Sequence, residues 1–249
     1  MGKLDGKVAL IAYAGGGIGK ATAELLEKEG AKVFIQDDDA TKLNGVPGEK
    51  IIGDLRNKED VDKMIQTVLE KGGGKIDIVI NNQDFEGPQK NILDLTAEEF
   101  KEVADLNLKT IWYTLAAIYP TVKAQQAMRI INIGNVAGAA GIPKLVAYSS
   151  VKAGLYGLTK TIAREWSRFP DVRVNIVNAG LVKFNEEYAT QGGGKTSAKE
   201  LSYLNPFAKR SATPQDIANI IVFLASDDAT AINAATIDAF GGLYTVSGE

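Results

Sequence analysis

The chain has 249 residues, of which 45% are hydrophobic and 24% charged, with a formal net charge of −3. These are the proportions of a globular protein with a sizeable core rather than a disordered one, and the basic residues are too scattered to follow nucleic acid or an anionic membrane surface. There is no His and no Cys, which excludes disulfides, thiolate nucleophiles, Cys/His metal sites and imidazole bases, so chemistry near neutral pH falls to Tyr, Lys, carboxylates, Ser/Thr or a cofactor.

The first residues, Met1 to Asp5, carry no apolar signal stretch and run straight into a strand, so a cytoplasmic location is expected. From there, apolar runs of strand length alternate with longer helical patterns, as repeated βαβ units do. Strands are predicted at Val8–Ala12, Val33–Gln36, Lys50–Gly53, Ile76–Asn81, Arg129–Ile133, Arg173–Val177 and Thr236–Asp238. Helices are predicted at Ile18–Glu29, Lys58–Lys71, Ala97–Lys123, Ala147–Phe169 and Pro214–Ala225, each with apolar residues three and four apart. The fold class is α/β: a Rossmann-type, doubly wound, mostly parallel sheet of seven strands with helices on both faces.

No repeat, linker or run of roughly 18 apolar residues interrupts the pattern, so a single domain over 1–249 without a membrane span is expected. The longest stretch without a period is Phe184–Ala212, which contains Gly192, Gly193 and Gly194. It follows the sixth strand, at the carboxyl edge where such sheets bind ligands, and is read as a substrate-binding lid.

After the first strand, Ala12-Tyr13-Ala14-Gly15-Gly16-Gly17-Ile18-Gly19 opens a helix. Glycines at a strand-to-helix turn let backbone N–H groups approach a phosphate. About 20 residues on, Asp37 ends the second strand, where a carboxylate accepts from an adenosine ribose hydroxyl. A tight turn and a solvated acidic run, Asp37-Asp38-Asp39, would look the same.

Further landmarks follow in order: Gly53-Asp54-Leu55, Asn81-Asn82, Asn107, Tyr148-Ser149-Ser150-Val151-Lys152, Ala212-Thr213-Pro214-Gln215-Asp216, Phe223-Leu224-Ala225-Ser226-Asp227 and Gly241-Gly242. With these the chain resembles the short-chain dehydrogenase/reductase family from end to end. The resemblance implies an oxidoreductase that interconverts a secondary alcohol and a carbonyl with NAD(H). It implies Tyr148, Lys152, Asn107 and Asn135 as the catalytic set, with Asn107 supporting a proton-relay water. It implies Gly17, Ile18, Gly19, Asp37, Asp54, Leu55, Asn81, Lys152 and Val182 as cofactor contacts. Asp37, with no Arg or Lys immediately after it, favours NAD over NADP by repelling a 2′-phosphate. A homo-oligomer, dimer or tetramer, with the two long helices pairing across subunits, is also implied.

Residues four apart share a helix face, so Lys152 can sit beside the Tyr148 phenol, and a nearby ammonium lowers a Tyr pKa from about 10 toward working pH. Tyr119/Lys123 and Tyr156/Lys160 repeat the spacing. Only Tyr148 follows the fifth strand by the family's interval, and the other two pairs read as surface or interface contacts.

Several positions depart from the family. Asn135 stands where its catalytic Ser is expected, thirteen residues before Tyr148; an amide can donate to a carbonyl but cannot relay a proton as a hydroxyl does. Tyr13 replaces a glycine, Gln83-Asp84 an Ala-Gly, Ala179-Gly180 a Pro-Gly, and Phe184 a Thr. The changes gather on one rim while strand cores keep their pattern. Halohydrin dehalogenases also keep this fold with a bulky aromatic near the glycine turn, although this chain has Lys152 where they carry Arg and lacks their Ser. A cofactor-independent enzyme, an engineered pocket and a non-catalytic protein on the same scaffold are therefore alternatives; fold alone does not choose among them.

Overall fold

The computed structural model describes residues 2–180, 182 and 212–240. Among them, seven strands form one parallel sheet: β1 (Val8–Ala12), β2 (Lys32–Asp37), β3 (Glu49–Ile52), β4 (Ile78–Asn81), β5 (Ala127–Asn135), β6 (Asp171–Ala179) and β7 (Thr236–Ala239). Their spatial order is β3-β2-β1-β4-β5-β6-β7, and every pairing is parallel.

The strand sequences explain the layering. Successive strand residues point to opposite faces, and β1, Val-Ala-Leu-Ile-Ala, is buried along its whole length, as a strand covered on both sides must be. Ala9 and Ile11 face one core with Ile18, Leu26, Ile217 and Ile221. Val8 and Leu10 face the other with Val61, Met64, Ile111, Leu115 and Leu155. The first core lies under α1 (Gly17–Lys28) and a C-terminal helix, Pro214–Ala225. The second lies under α2 (Lys58–Lys71), α4 (Thr110–Gln125) and α6 (Val146–Glu165). Two shorter helices, α3 (Ala97–Ala104) and α5 (Val136–Ala140), precede α4 and α6, so the C-terminal helix is α7.

Helix ends carry their own signals. Thr96 and Glu99 close a capping box on α3, Thr213 and Asp216 do the same on α7 with Pro214 in its first turn, and Asn57 caps α2. Two departures from the predicted elements matter for the site. The helix expected over Ala97–Lys123 is interrupted by a π-turn at Asp105–Lys109, centred on Asn107. Between β5 and α6 stands α5, which the sequence pattern did not show.

Strand order reverses between β1 and β4, so their helices leave on opposite faces and a crevice opens at the carboxyl edge. The predicted lid lies outside the described residues except for Ala212. Val182, just before it, and Ala212, its last residue, meet in an isolated parallel bridge.

Candidate active site

At that edge a cavity of about 270 Å³ is lined by Tyr13, Gly15, Gly16, Gly17, Ile18, Asp37, Lys42, Asn82 and Asp84. The glycine turn is tight for a reason visible in the packing. A Cβ on Gly15 would lie 2.5 Å from the Lys42 Cβ and 2.8 Å from Asp37 Oδ2, and one on Gly19 would lie 2.6 Å from the Ala14 carbonyl oxygen. No side chain caps the start of α1 and no acidic residue lies in its first turn, so its amide groups are available to an anion.

Asp37 forms the far wall. It is buried, and its carboxylate accepts from the Gly15 amide at 3.1 Å and the Asp38 amide at 3.0 Å. Burial raises its pKa above the ordinary carboxylate value, against the opposing pull of the Gly15 amide and Lys42. No basic residue follows Asp37 directly, yet the fold brings one back: Lys42 Nζ stands 3.3 Å from Asp37 and 2.8 Å from Asp38. Lys42 lies in a 3₁₀ turn, Ala40–Leu43, that no periodicity marks.

Tyr13 adopts a left-handed backbone, φ 55°, where a glycine would be unstrained. Its backbone amide donates to Gln36 Oε1 at 3.0 Å. Its phenol oxygen is buried with no hydrogen-bond partner. Burial, followed by the charges of Asp38 and Asp54, pushes that phenol's pKa far up. The ring therefore stands beside the carboxyl ends of β2 and β3. Asp54 itself is tied to Arg56 by two 2.9 Å hydrogen bonds, which lower its pKa, and Leu55 is buried in the core beneath α2. Of the Asn pair, the second residue reaches the cavity. Asn81 points into the sheet interior, where its Nδ2 donates to Asn132 Oδ1 at 2.8 Å. Asn82 donates to the Tyr13 carbonyl at 2.8 Å, and its Oδ1 is buried without a partner.

Two of the catalytic candidates, Tyr148 and Lys152, meet at Asp84 beside this cavity. Tyr148 and Lys152 lie one turn apart on α6 and are 2% and 1% exposed. The Tyr148 hydroxyl donates to Asp84 Oδ1. Lys152 Nζ lies 3.1 Å from the same oxygen and donates to the carbonyls of Gln83 at 2.9 Å and Ile133 at 3.3 Å. The ammonium thus donates to two backbone carbonyls and forms an ion pair with the Asp84 carboxylate. The ammonium also lies 5.5 Å from the Tyr148 ring centroid.

One expectation is corrected: Lys152 does not lower the phenol pKa, because it pairs with Asp84, and the Tyr148 pKa is raised well above 10, first by burial and then by the charge and hydrogen bond of Asp84 and the charge of Glu86. The Asn107 side chain donates to the Phe85 and Val103 carbonyls at 2.7 and 2.9 Å and accepts from the Phe85 amide at 3.0 Å. It holds the segment that carries Asp84.

Asn135 caps α5, its Oδ1 accepting from the Ala137 amide at 2.9 Å. Its amide nitrogen makes no hydrogen bond with a described residue, so the donor half of the side chain is free. The other two Tyr-x-x-x-Lys pairs are elsewhere. Tyr119 packs on Trp166 with ring centroids 5.8 Å apart and accepts from Arg168, and Tyr156 accepts from Asn178 at 3.0 Å. Val182 is buried, and Phe184 lies outside the described residues.

A seven-stranded parallel sheet in this order, with the glycine turn at its switch point and Tyr148 and Lys152 on the helix after β5, decides the family, and the known proteins agree. The chain belongs to the short-chain dehydrogenase/reductase family. The family profile described as enoyl-(acyl carrier protein) reductase matches residues 12–244. A 3-oxoacyl-[acyl-carrier-protein] reductase of Vibrio cholerae is 32% identical over 253 residues, covering 98% of this chain and 99% of that one. Levodione reductase of Leifsonia aquatica is 29% identical over 252 residues, covering 95% and 93%. An NAD⁺-bound xylitol dehydrogenase superposes with a TM-score of 0.86 at 25% identity, covering 96% of this chain and all of that one. As a member of this family the chain is an oxidoreductase of nucleotide-cofactor type, and its cavity suits that role in part. The two glycines that exclude a Cβ, the uncapped start of α1 and the unpartnered Asn82 oxygen are the donor and acceptor set of a pyrophosphate and sugar site. Tyr13 and Asp84 leave less room there than the family's small residues would. Asp84, Lys42, Asn82 and Gln83 are the residues that the sequence did not single out as site members; the signals were the Asn81-Asn82 landmark, of which only Asn81 was taken as a contact, and the replacement of Ala-Gly by Gln83-Asp84.

Proposed function

We propose that the protein is an NAD(H)-dependent oxidoreductase interconverting a secondary alcohol and a ketone or related carbonyl, with Tyr148 as the acid/base. One observation carries the reading: Tyr148 and Lys152 meet in a buried polar cluster bordering the glycine-turn cavity whose opposite wall is Asp37. The relatives are reductases or dehydrogenases by name, and the xylitol dehydrogenase was solved with NAD⁺.

In this reading the start of α1 and the Gly15–Gly17 turn hold the pyrophosphate, and Asp37 accepts from the adenosine ribose. An ionised Asp37 disfavours a 2′-phosphate, and Lys42, already shared between Asp37 and Asp38, does little to relieve that. A bound nicotinamide ring supplies the hydride exchange. Asn135 donates its free amide hydrogen to the substrate oxygen, and Tyr148 passes a proton to or from that oxygen. Lys152 fixes the acid/base cluster through Asp84 and the two carbonyls it grips.

Following absorbance at 340 nm with a panel of secondary alcohols and NAD⁺ tests the reading. Turnover that Tyr148→Phe abolishes is expected; turnover unchanged in that variant removes Tyr148 from the chemistry.

A cofactor-independent pocket is the second reading, and Tyr13 favours it. Its strained backbone, its unpartnered hydroxyl and a cavity just below the usual 300–1,000 Å³ of ligand sites suit a ligand smaller than a dinucleotide.

We also propose a cytoplasmic homo-oligomer. Half-exposed Trp112 borders a surface groove with Tyr119, Ile162, Trp166 and Arg168, where α4 and α6 would pair across subunits. Among the described residues no helix is long and apolar enough to cross a membrane. Light scattering reads the subunit number, and a monomer would refute the pairing.

A further inference from the structure

We propose that Asp84 and Tyr148 form one acid–base unit, in which Asp84 takes the phenol proton as Tyr148 takes a proton from the substrate hydroxyl. The inference rests on the oxidoreductase reading for its substrate, and on the structure for the pair.

The hydrogen bond sets the direction of transfer. Because the Tyr148 O–H points at Asp84 Oδ1, the remaining lone pairs of the phenol oxygen can accept from a substrate hydroxyl. A phenol that donates to a carboxylate is a stronger base toward a third group than a free phenol, since its own proton has somewhere to go. That help is needed here. Burial and the negative charges of Asp84 and Glu86 raise the Tyr148 pKa and so disfavour a pre-formed phenolate as the base.

Asp84 is held for this role from both sides along the chain. On one side Lys152 grips the Gln83 carbonyl, and on the other Asn107 grips the amide and carbonyl of Phe85. Lys152 Nζ, 3.1 Å from Oδ1, balances the carboxylate charge. Among the described residues, the charged and titratable groups that face the pair are Lys152 from α6 and Glu86 from the same segment.

Asp84 also provides an exit. Its side chain is 18% exposed and lines the cavity, whereas Tyr148 keeps only 2% of its surface exposed, Lys152 is buried, and the Asn107 amide is fully engaged. Among the described residues it is the member of the cluster that links the phenol to the cavity.

In alcohol oxidation the substrate O–H bond breaks and its proton joins the Tyr148 oxygen, while the phenol's original proton moves to Asp84. The carbinol C–H bond breaks with its electron pair leaving as hydride to the nicotinamide dinucleotide, and a C=O bond forms. Asp84 then releases its proton to solvent through the cavity. Carbonyl reduction runs the same path backwards and needs Asp84 protonated, so an ionised Asp84 favours oxidation.

Two measurements on the full-length protein test this. The first is an absorbance titration of tyrosinate, taken as wild type minus Tyr148→Phe, and repeated in the Asp84→Asn background. Tyr148 should ionise at lower pH once Asp84 is neutralised; an unchanged ionisation pH overturns the pair, whether or not a cofactor binds. The second is steady-state alcohol oxidation across pH. Asp84→Asn should lower kcat about 10²-fold with KM nearly unchanged. An unchanged kcat, or a rise in kcat in Asp84→Gly, would show Asp84 to be a plug and overturn the relay. Asn retains a hydrogen bond to the phenol, and thermal unfolding of each variant separates loss of fold from loss of relay. Failure of wild type to oxidise any alcohol with NAD⁺ would count against the oxidoreductase reading and remove the substrate half of the relay, while the titration still decides the pair.

Discussion

Asn107 holds Phe85 by both of its backbone groups, donating to the carbonyl at 2.7 Å and accepting from the amide at 3.0 Å. The π-turn places it there: one extra residue per turn at Asp105–Lys109 lies between α3 and α4 where the segment after β4 passes. Asp84 is therefore positioned by a side chain whose hydrogen bonds go to Phe85 and Val103 rather than to Asp84 or Tyr148.

Asn107→Ala leaves a part-buried amide and carbonyl unpaired, and should cost about 1–3 kcal/mol of stability, read by denaturant unfolding. Turnover should fall further than stability accounts for, because Asp84 loses its register with Tyr148. Full activity in a folded Asn107→Ala protein would show that the clamp does not serve the site.

Asn135→Ser keeps an N-cap of similar strength on α5 and restores a hydroxyl, so stability should hold and carbonyl reduction should rise. Asn135→Ala loses both cap and donor. About 1 kcal/mol of stability should go, and turnover should drop about 10²–10³-fold, measured by thermal unfolding and initial rates. If Asn135→Ala keeps wild-type rates, its amide is not the carbonyl donor.

Much of this architecture is legible in the sequence, because strands buried on both faces read as unbroken apolar runs and helices as three- and four-residue spacing. Lys58–Lys71 and Pro214–Ala225 match their predicted bounds at both ends. The π-turn is hidden because one extra residue in 27 barely disturbs an apolar period. The five residues of α5 are too few to show any period, and Asn135 alone marks its start. In the site, Tyr148, Lys152, Asp37 and the glycine turn stand out by spacing. Asp84 was visible only as a charge out of place: that it meets Tyr148, 64 residues away, depends on the close approach of α6 to the end of β4. Lys42 likewise reaches Asp37 through a turn rather than a periodic element.

Alkaline pH should destabilise the fold. Burial holds the Tyr13 and Tyr148 phenols protonated well past their ordinary values. Unfolded tyrosines ionise near pH 10, so above that pH the unfolded state binds fewer protons than the native one. The stability that comes from keeping these phenols neutral is complete below about pH 10 and is lost as pH rises. Unfolding curves from pH 8 to 11 should show the decline, and Tyr148→Phe should flatten it. Equal slopes in both proteins would mean that Tyr148 ionises normally in the fold.

Tyr13→Gly relieves a left-handed backbone worth about 1–2 kcal/mol of strain and opens the cavity beside Asp37. Dinucleotide affinity should rise about tenfold, equivalent to ~1.4 kcal/mol, by calorimetry. An unchanged or weaker affinity would show that the ring does not limit the site.

The most direct test of the account is a titration of the wild-type protein with NADH and NADPH, followed by nicotinamide fluorescence. Saturable NADH binding, with NADPH weaker and the gap narrowed by Asp37→Ala, is the expected result. No saturable binding of either at millimolar concentration would contradict the oxidoreductase reading and leave the cofactor-independent pocket in its place.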